Sequence, residues 1–433
     1  MRKLAGILAA AFLAALLAAG MVQAADKVVK IGVIYPLTGG AAAEGRELRA
    51  GAELALEIAN KLTPGVDMEM AKNAGIKSLG GAKVELIFKD HQGNPQLGAD
   101  LAKKLIEDDK VVGILGCYHS AVTKTVAAVC ERFGVPMIND SSTSPALTKA
   151  GYKWFWRTTP HDAQFTRDLF EFLKGLTEGK AKGVAAVPKA DLATLASACE
   201  KTEWGTNVDD QIKSYAKEYG FNVASSILYA AKSPDVSAEV QSMIAAKPGA
   251  MLFASYTSDA ILLMKTLQSM KAAPKLLWGQ DAGFEAPEFV TTLGDASNGV
   301  LTRTVFTPQV AQVKKVAGQV NELYKKKVGH DLSGASARAF TGLQAWIYVL
   351  EKAGSVKPQA IQAACNSIHI PGEQLVVPWF GIKFATTGED IGQNVLGSGM
   401  IGQYQKQGDK ITLEIAYPFE LATANLIYPL KGF

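Results

Sequence analysis

Val111-Val112-Gly113-Ile114-Leu115-Gly116-Cys117-Tyr118-His119-Ser120 carries a short apolar run into a turn that ends on a hydroxyl. The residues after it, to Phe133, are spaced as a helix. Val135-Pro136-Met137-Ile138 then reads as a second strand, and Asp140-Ser141-Ser142-Thr143-Ser144-Pro145 as a second hydroxyl-rich turn. Each turn sits where a strand hands over to a helix. Helix starts expose unpaired N–H groups and partial positive charge, so both turns are suited to a carboxylate.

Working outward, the same rhythm repeats. Val28 to Ile34 is an apolar strand closed by Tyr35-Pro36-Leu37-Thr38-Gly39-Gly40. Helical spacing follows over 46–60, a strand over 84–88 and a helix over 97–108. This alternation predicts a doubly wound parallel α/β sheet with helices on both faces. Residues 62–82, with Pro64 and four glycines, read as a surface insertion. A second α/β series begins after Trp154-Phe155-Trp156-Arg157-Thr158-Thr159-Pro160. Its expected strands are 183–187, 222–229, 250–253, 275–278 and 300–305, with helices over 207–219, 235–246 and 338–353. Residues 382–384, 400–405 and 411–416 alternate apolar with polar and predict terminal antiparallel strands.

Residues 1–24 are set apart. Arg2 and Lys3 precede an unbroken apolar run from Leu4 to Ala19, and Val22-Gln23-Ala24 supplies a small-x-small cleavage pattern. This is the pattern of a cleaved secretory signal peptide, which places the chain in the periplasm. The 45 basic and 41 acidic residues nearly balance, so no footprint for nucleic acid is present. Cys117 and Cys130 are read as buried free thiols, and a Cys199–Cys365 pairing stays open. The five histidines are scattered, and neither a metal nor a cofactor is expected. No Gly-x-Ser-x-Gly elbow marks a hydrolase.

Two α/β lobes invite a cleft, because ligands of such sheets sit beyond the C-terminal ends of strands. Tyr35, Ser120, Ser141, Thr143, Tyr256 and Asp281 all lie just past expected strand ends.

Ile31-Gly32-Val33-Ile34-Tyr35-Pro36-Leu37-Thr38-Gly39, the Ser120 turn, Thr143-Ser144-Pro145-Ala146-Leu147-Thr148, Arg157-Thr158-Thr159, Ser255-Tyr256 and Gly279-Gln280-Asp281 occur in that order over nearly all of the mature chain. In order and spacing the sequence resembles type I periplasmic binding proteins of the leucine/isoleucine/valine-binding family. The resemblance implies two lobes joined by three crossover strands, near 157–160, 301–307 and 370–379. Lobe 1 would hold 27–157 plus 303–371, and lobe 2 would hold 158–302 plus 372–433. It implies an exported, monomeric, non-enzymatic receptor that closes on a small-molecule ligand and delivers it to an inner-membrane ABC permease.

Site roles follow from the same resemblance. Ser120 would hold the ligand carboxylate, Ser141 and Thr143 the rest of an amino acid head group, and Asp281 its ammonium. Trp204 and Tyr256 would close over the ligand from the second lobe. This chain also departs from the family pattern. Tyr118 and His119 replace smaller neighbours and would narrow or polarise the side-chain pocket. Glu44 falls where the family often carries an aromatic. Residues 188–203 read as an extra piece before Trp204. The expected ligand is an α-amino acid, branched-chain or similar. The alternative is an aromatic or other carboxylate, or an amide, with Tyr118, Trp204, Tyr256 and Phe284 as walls.

Overall fold

The computed structural model describes residues 28–431, so the leader expected at 1–24 lies outside it. The first sheet has five parallel strands in the order β2-β1-β3-β4-β5. They are β1 (Val28–Tyr35), β2 (Lys83–Asp90), β3 (Gly113–Gly116), β4 (Met137–Asn139) and β5 (Phe155–Arg157). The second sheet has seven strands in the order β14-β13-β10-β9-β8-β6-β7. Its members are β6 (Thr194–Glu200), β7 (Asn222–Tyr229), β8 (Ala250–Ala254), β9 (Leu276–Gly279), β10 (Leu301–Thr304), β13 (Met400–Gln407) and β14 (Lys410–Tyr417). Strands β6 to β10 run parallel, and β13 and β14 add on antiparallel. A two-stranded ladder joins β11 (Ile370–Pro371) to β12 (Gly381–Ile382).

Each sheet is covered on both faces, which is why its strands are apolar on both sides. Helix 42–60 packs on helix 334–353 over the first sheet, and helices 95–107 and 120–133 cover its other side. The chain passes between the sheets three times. It leaves after β5, returns after β10 to build helices 308–313, 315–328, 334–353 and 358–367, and goes back through 370–399 to β13. The last passage is tied to the first: Arg157 donates through Nε to Gln393 at 2.7 Å and its N–H meets the Gly392 carbonyl at 2.8 Å. No helix among the described residues is long and apolar enough to cross a membrane.

Three sequence expectations change. Residues 183–187 are loop, and the strand lies instead at Thr194–Glu200, inside the stretch read as an extra piece. Beyond its first residue, Thr-Leu-Ala-Ser-Ala-Cys-Glu lacks the β-branched and aromatic residues that mark a strand. It is central because its small side chains fit between two layers of helices, and Leu195, Ala196, Ser197, Ala198 and Cys199 are fully buried. The insertion at 62–82 is more than surface: it folds into two short 3₁₀ turns whose Met68, Met70, Ala71 and Ile76 are buried in the first lobe's core. Finally, Cys199 and Cys365 are both free and belong to different cores, as Cys117 and Cys130 are free and buried together.

Candidate functional site

The two hydroxyl turns are bonded to each other. Ser142 donates through Oγ to the Tyr118 carbonyl at 2.9 Å, and the Ser144 N–H donates to Ser120 Oγ at 3.3 Å. Asn139 fixes the second turn by accepting the Ser141 and Ser142 N–H groups, both at 2.9 Å, as an Asx turn. Buried Arg157 holds it from behind through the Ser144 carbonyl at 2.7 Å and the Thr148 hydroxyl at 3.2 Å. Tyr35 donates to Asp140 at 2.5 Å, and burial, partly offset by that bond, raises the Asp140 carboxyl to about 6.

Neither Ser120 nor Ser144 is the cap of the helix that follows it. The helix start after β3 is capped by the backbone of His119 with no side-chain capping bond, and Ser120 is its first helical residue. Likewise Pro145, rather than Ser144, precedes the short helix 146–149. Ser142 and Ser144 are spent within the protein. The Ser141 hydroxyl is buried without a partner, and Thr143 Oγ1 accepts only a long 3.4 Å bond from Arg303. Ser141 and Thr143 are therefore the two hydroxyls of this turn least engaged by the protein.

Four aromatic rings meet between the lobes, from both sides. Tyr256 from the second lobe lies 5.6 Å from Tyr118, 4.3 Å from His119 and 4.9 Å from Trp204, centroid to centroid. Gly283 packs against the Tyr256 backbone, where a Cβ would stand 2.6 Å from the Tyr256 carbonyl carbon. Burial keeps His119 neutral and raises the Tyr118 phenol. Phe284, expected as a wall, is instead core: it is fully buried and stacks on Phe253 at 5.9 Å. Two site residues carry left-handed backbone, Tyr118 at φ 86° and Asp281 at φ 58°. Such conformations cost about 1–3 kcal/mol each in non-glycine residues and concentrate at binding sites.

The charge pattern is the least expected feature. Asp281 lies between two buried guanidiniums, with Arg303 Nη2 at 2.8 Å and Arg338 Nη1 at 3.1 Å from Oδ2. Arg338 Nη2 also reaches Oδ1 at 3.2 Å and Glu285 at 3.4 Å. Burial alone would raise the Asp281 carboxyl, but Arg303 and Arg338 outweigh it and hold it well below the usual range. Burial and the neighbouring Asp281 charge push Glu285 up, so Glu285 holds the proton while Asp281 holds the charge. The residue expected to face a ligand ammonium is thus already neutralised by the protein. Arg303 and Arg338 are each 1 % exposed. Arg303 also stacks its guanidinium 3.8 Å from the Phe165 ring and lies 3.7 Å from Asp162, yet its Nε and Nη1 find no acceptor.

Neither arginine was among the sequence candidates. A signal was there for both. Arg303 interrupts the expected strand Val300-Leu301-Thr302-Arg303-Thr304-Val305, and Arg338 sits in the small, apolar stretch Ala335-Ser336-Ala337-Arg338-Ala339-Phe340. A lone cation at a core position must be paired or functional.

A cavity of about 80 Å³ lies between the lobes, lined from both by Gln92, His119, Glu200, Lys232, Tyr256 and Asp259. Burial, then Asp259, raises Glu200 to about 8. The native state therefore binds a proton that the unfolded chain gives up near the ordinary carboxyl range. Stability from this group is complete below that range and is lost as pH rises toward 8. Glu200→Gln is expected to raise the melting temperature at pH 8 and leave it unchanged at pH 4.5. Thermal melts across that range check this, and an equal shift at both ends would count against it.

A family model described as periplasmic binding protein matches residues 28–395. Among curated proteins, the chain is similar to Leu/Ile/Val-binding protein homolog 7 of Brucella suis, at 26 % identity over 96 % of this chain and 97 % of that one. Among solved structures it is similar to the leucine-binding protein LivK of Thermotoga maritima, at TM-score 0.72 and 22 % identity, covering 91 % of this chain and 100 % of that one. It is equally similar to a solute-binding protein of an ABC transporter from Rhodopseudomonas palustris in complex with 3,4-dihydroxybenzoic acid, at TM-score 0.72 and 19 % identity over 93 % and 98 %. Members of this family are solute-binding receptors that take small molecules and work with ABC permeases. With the match spanning both lobes and the cleft between them, the chain belongs to the type I periplasmic binding proteins, the substrate-binding components of ABC transporters.

Proposed function

We propose that this chain is a monomeric, non-enzymatic receptor that closes by a hinge on a small organic carboxylate without an ammonium group. One observation carries the reading. Arg303 keeps two buried N–H donors without protein acceptors, beside the Ser141–Thr143 turn, while the acid suited to an ammonium is consumed by Arg303 and Arg338. A carboxylate satisfies those donors through charge-assisted bonds, the strongest kind available to it. Ser141, Thr143 and the helix start at Ser120 complete the anion side, and Tyr118, Trp204 and Tyr256 form the walls. The lobes divide at the three passages, close to 27–157 plus 303–371 and 158–302 plus 372–433, with Arg303 still in β10 of the second lobe and the passages as the hinge. Periplasmic location follows from the family and the leader pattern. Relatives named for leucine, isoleucine and valine, and a structural neighbour holding a dihydroxybenzoate, leave both ligand chemistries within the fold.

An α-amino acid is the second reading. Asp162 favours it: the side chain is fully buried, Gln280 donates to Oδ1 at 3.1 Å, and Oδ2 has no partner and is free to accept an ammonium. Calorimetric titration of refolded protein with benzoates, aliphatic carboxylates and the common amino acids decides between them. Binding of plain carboxylates with micromolar or better affinity is expected. Binding confined to amino acids would overturn the first reading.

A further inference from the structure

On the far side of Asp281 from Arg303, Arg338 opens onto a small corner between the lobes. Glu44 and Tyr118 line it from the first lobe together with Arg338, and Ala282 and Glu285 line it from the second. Three buried side chains there have unused hydrogen-bonding atoms. Glu44 is 2 % exposed and uses one oxygen to accept from Thr257 across the cleft at 2.5 Å, while Oε2 has no partner. The Tyr118 hydroxyl has no partner, and neither does Arg338 Nε. Each such atom costs about 1–3 kcal/mol when left unsatisfied, so three around one corner are hard to account for as packing. Gly45 fixes the placement of Glu44: a Cβ at 45 would stand 1.9 Å from the Pro36 carbonyl, so only glycine lets the helix start come this close to the turn after β1.

An aliphatic ligand end would bury these atoms and satisfy none of them. A formal charge fits no better, since the Arg338 guanidinium opposes a cation and the Glu44, Glu47 and Glu285 carboxyls oppose an anion. A neutral group that both donates and accepts matches the set: it donates to Glu44 Oε2 and accepts from Arg338 Nε or the Tyr118 hydroxyl. We propose that the Glu44–Tyr118–Arg338 corner is a second polar subsite, which takes a hydroxyl or primary amide on the ligand end remote from its carboxylate. This rests on the carboxylate reading above and narrows it to hydroxy- or carbamoyl-carboxylates. The corner has a volume of about 10 Å³, near the minimum for one water, so the ligand group enters before the Glu44–Thr257 contact closes over it.

Two matched pairs test this by calorimetry on the mature protein: 4-hydroxybenzoate against benzoate, and 5-amino-5-oxopentanoate against pentanoate. The polar member of at least one pair is expected to bind at least about tenfold tighter, because a site built around a hydroxyl or amide discriminates strongly against the analogue lacking it. Glu44→Gln combined with Tyr118→Phe should shrink that gap to under about threefold. The wild-type comparison stands even if the double variant fails to fold. Equal affinity within both pairs overturns the subsite, reduces the corner to a water site, and leaves the carboxylate reading intact. Binding of none of the four overturns the carboxylate reading and the subsite together.

Discussion

Arg303→Met is expected, on the carboxylate reading proposed above, to cost the receptor at least about a hundredfold in ligand affinity, and about 3–5 kcal/mol in stability. Methionine keeps much of the volume against Phe165, so packing alone does not account for the loss. What disappears is the guanidinium 2.8 Å from Asp281 and 3.7 Å from Asp162. Asp281 retains Arg338, but Asp162 keeps only the Gln280 amide at 3.1 Å. Breaking a buried pair from one side leaves a charge without its partner, and that is the expensive direction. The binding loss is larger than for one neutral bond because two charged donors, Nε and Nη1, go together. Arg303→Lys separates the two effects. Lysine restores the positive charge and hence much of the stability, but not the planar fork that meets both oxygens of a carboxylate. Urea denaturation and calorimetry on the pair should show stability rescued and affinity not. Recovery of both by lysine would reduce Arg303 to a structural counter-ion.

The two lobes were legible in the sequence because each strand handed over to a helix at a turn with glycine, proline or hydroxyl residues. Strands β1 to β4 and β7 to β10 fall where the apolar runs placed them, to within a few residues. Strand β6 was not legible. Its seven residues are chosen for smallness, and smallness is set by helices packed on both faces, which local propensity does not record. The site divides in the same way. The rings of Tyr118, Trp204 and Tyr256 meet, and for Tyr118 and Tyr256 position after an expected strand end was the signal; Trp204 follows β6 and had no such signal. The charge state of the site was not legible. It depends on Arg303 and Arg338, 22 and 57 residues away from Asp281, and only the fold brings them to one carboxylate.

Under the proposed hinge closure, the same geometry couples closure to charge. Arg338 rises from the first lobe's helix 334–353, whereas Asp281, Glu285 and Arg303 belong to the second lobe. The Arg338–Asp281 contact therefore forms only when the lobes meet. The Thr257–Glu44 bond and the exposed Lys124–Glu203 pair at 2.9 Å also cross the cleft. Of these, the exposed pair contributes little, about 0–1 kcal/mol. A ligand that adds negative charge beside Arg303 acts on the buried cluster, where screening by water is weakest.

Asp281→Asn turns that coupling into a measurement. The substitution leaves Arg303 and Arg338 facing an amide, and two desolvated cations lose their shared counter-ion. Stability should fall by about 3–5 kcal/mol near pH 5. The wild-type Asp281 carboxyl is depressed, so its contribution is complete above the unfolded carboxyl range and is lost only as pH falls through the depressed folded value. The gap between variant and wild type therefore closes in strong acid. It also narrows as pH rises, for a separate reason. Asp281 is a principal cause, after burial, of the raised Glu285 carboxyl. With that negative charge removed, Glu285 ionises at lower pH and pairs with Arg338, 3.4 Å away. Denaturation curves from pH 3 to 9 should thus show the largest gap in the middle of the range, and Asp281→Asn with Glu285→Gln should remove the recovery at high pH. Ligand binding supplies the sharper contrast. A carboxylate brings back a negative charge, so it should raise the melting temperature of the variant more than that of the wild type. An α-amino acid that needed Asp281 for its ammonium would lose affinity in the variant and stabilise it less. A smaller ligand-induced shift in Asp281→Asn than in wild type, for a carboxylate that wild type binds, would sink the account of Asp281 as counter-ion to the two arginines.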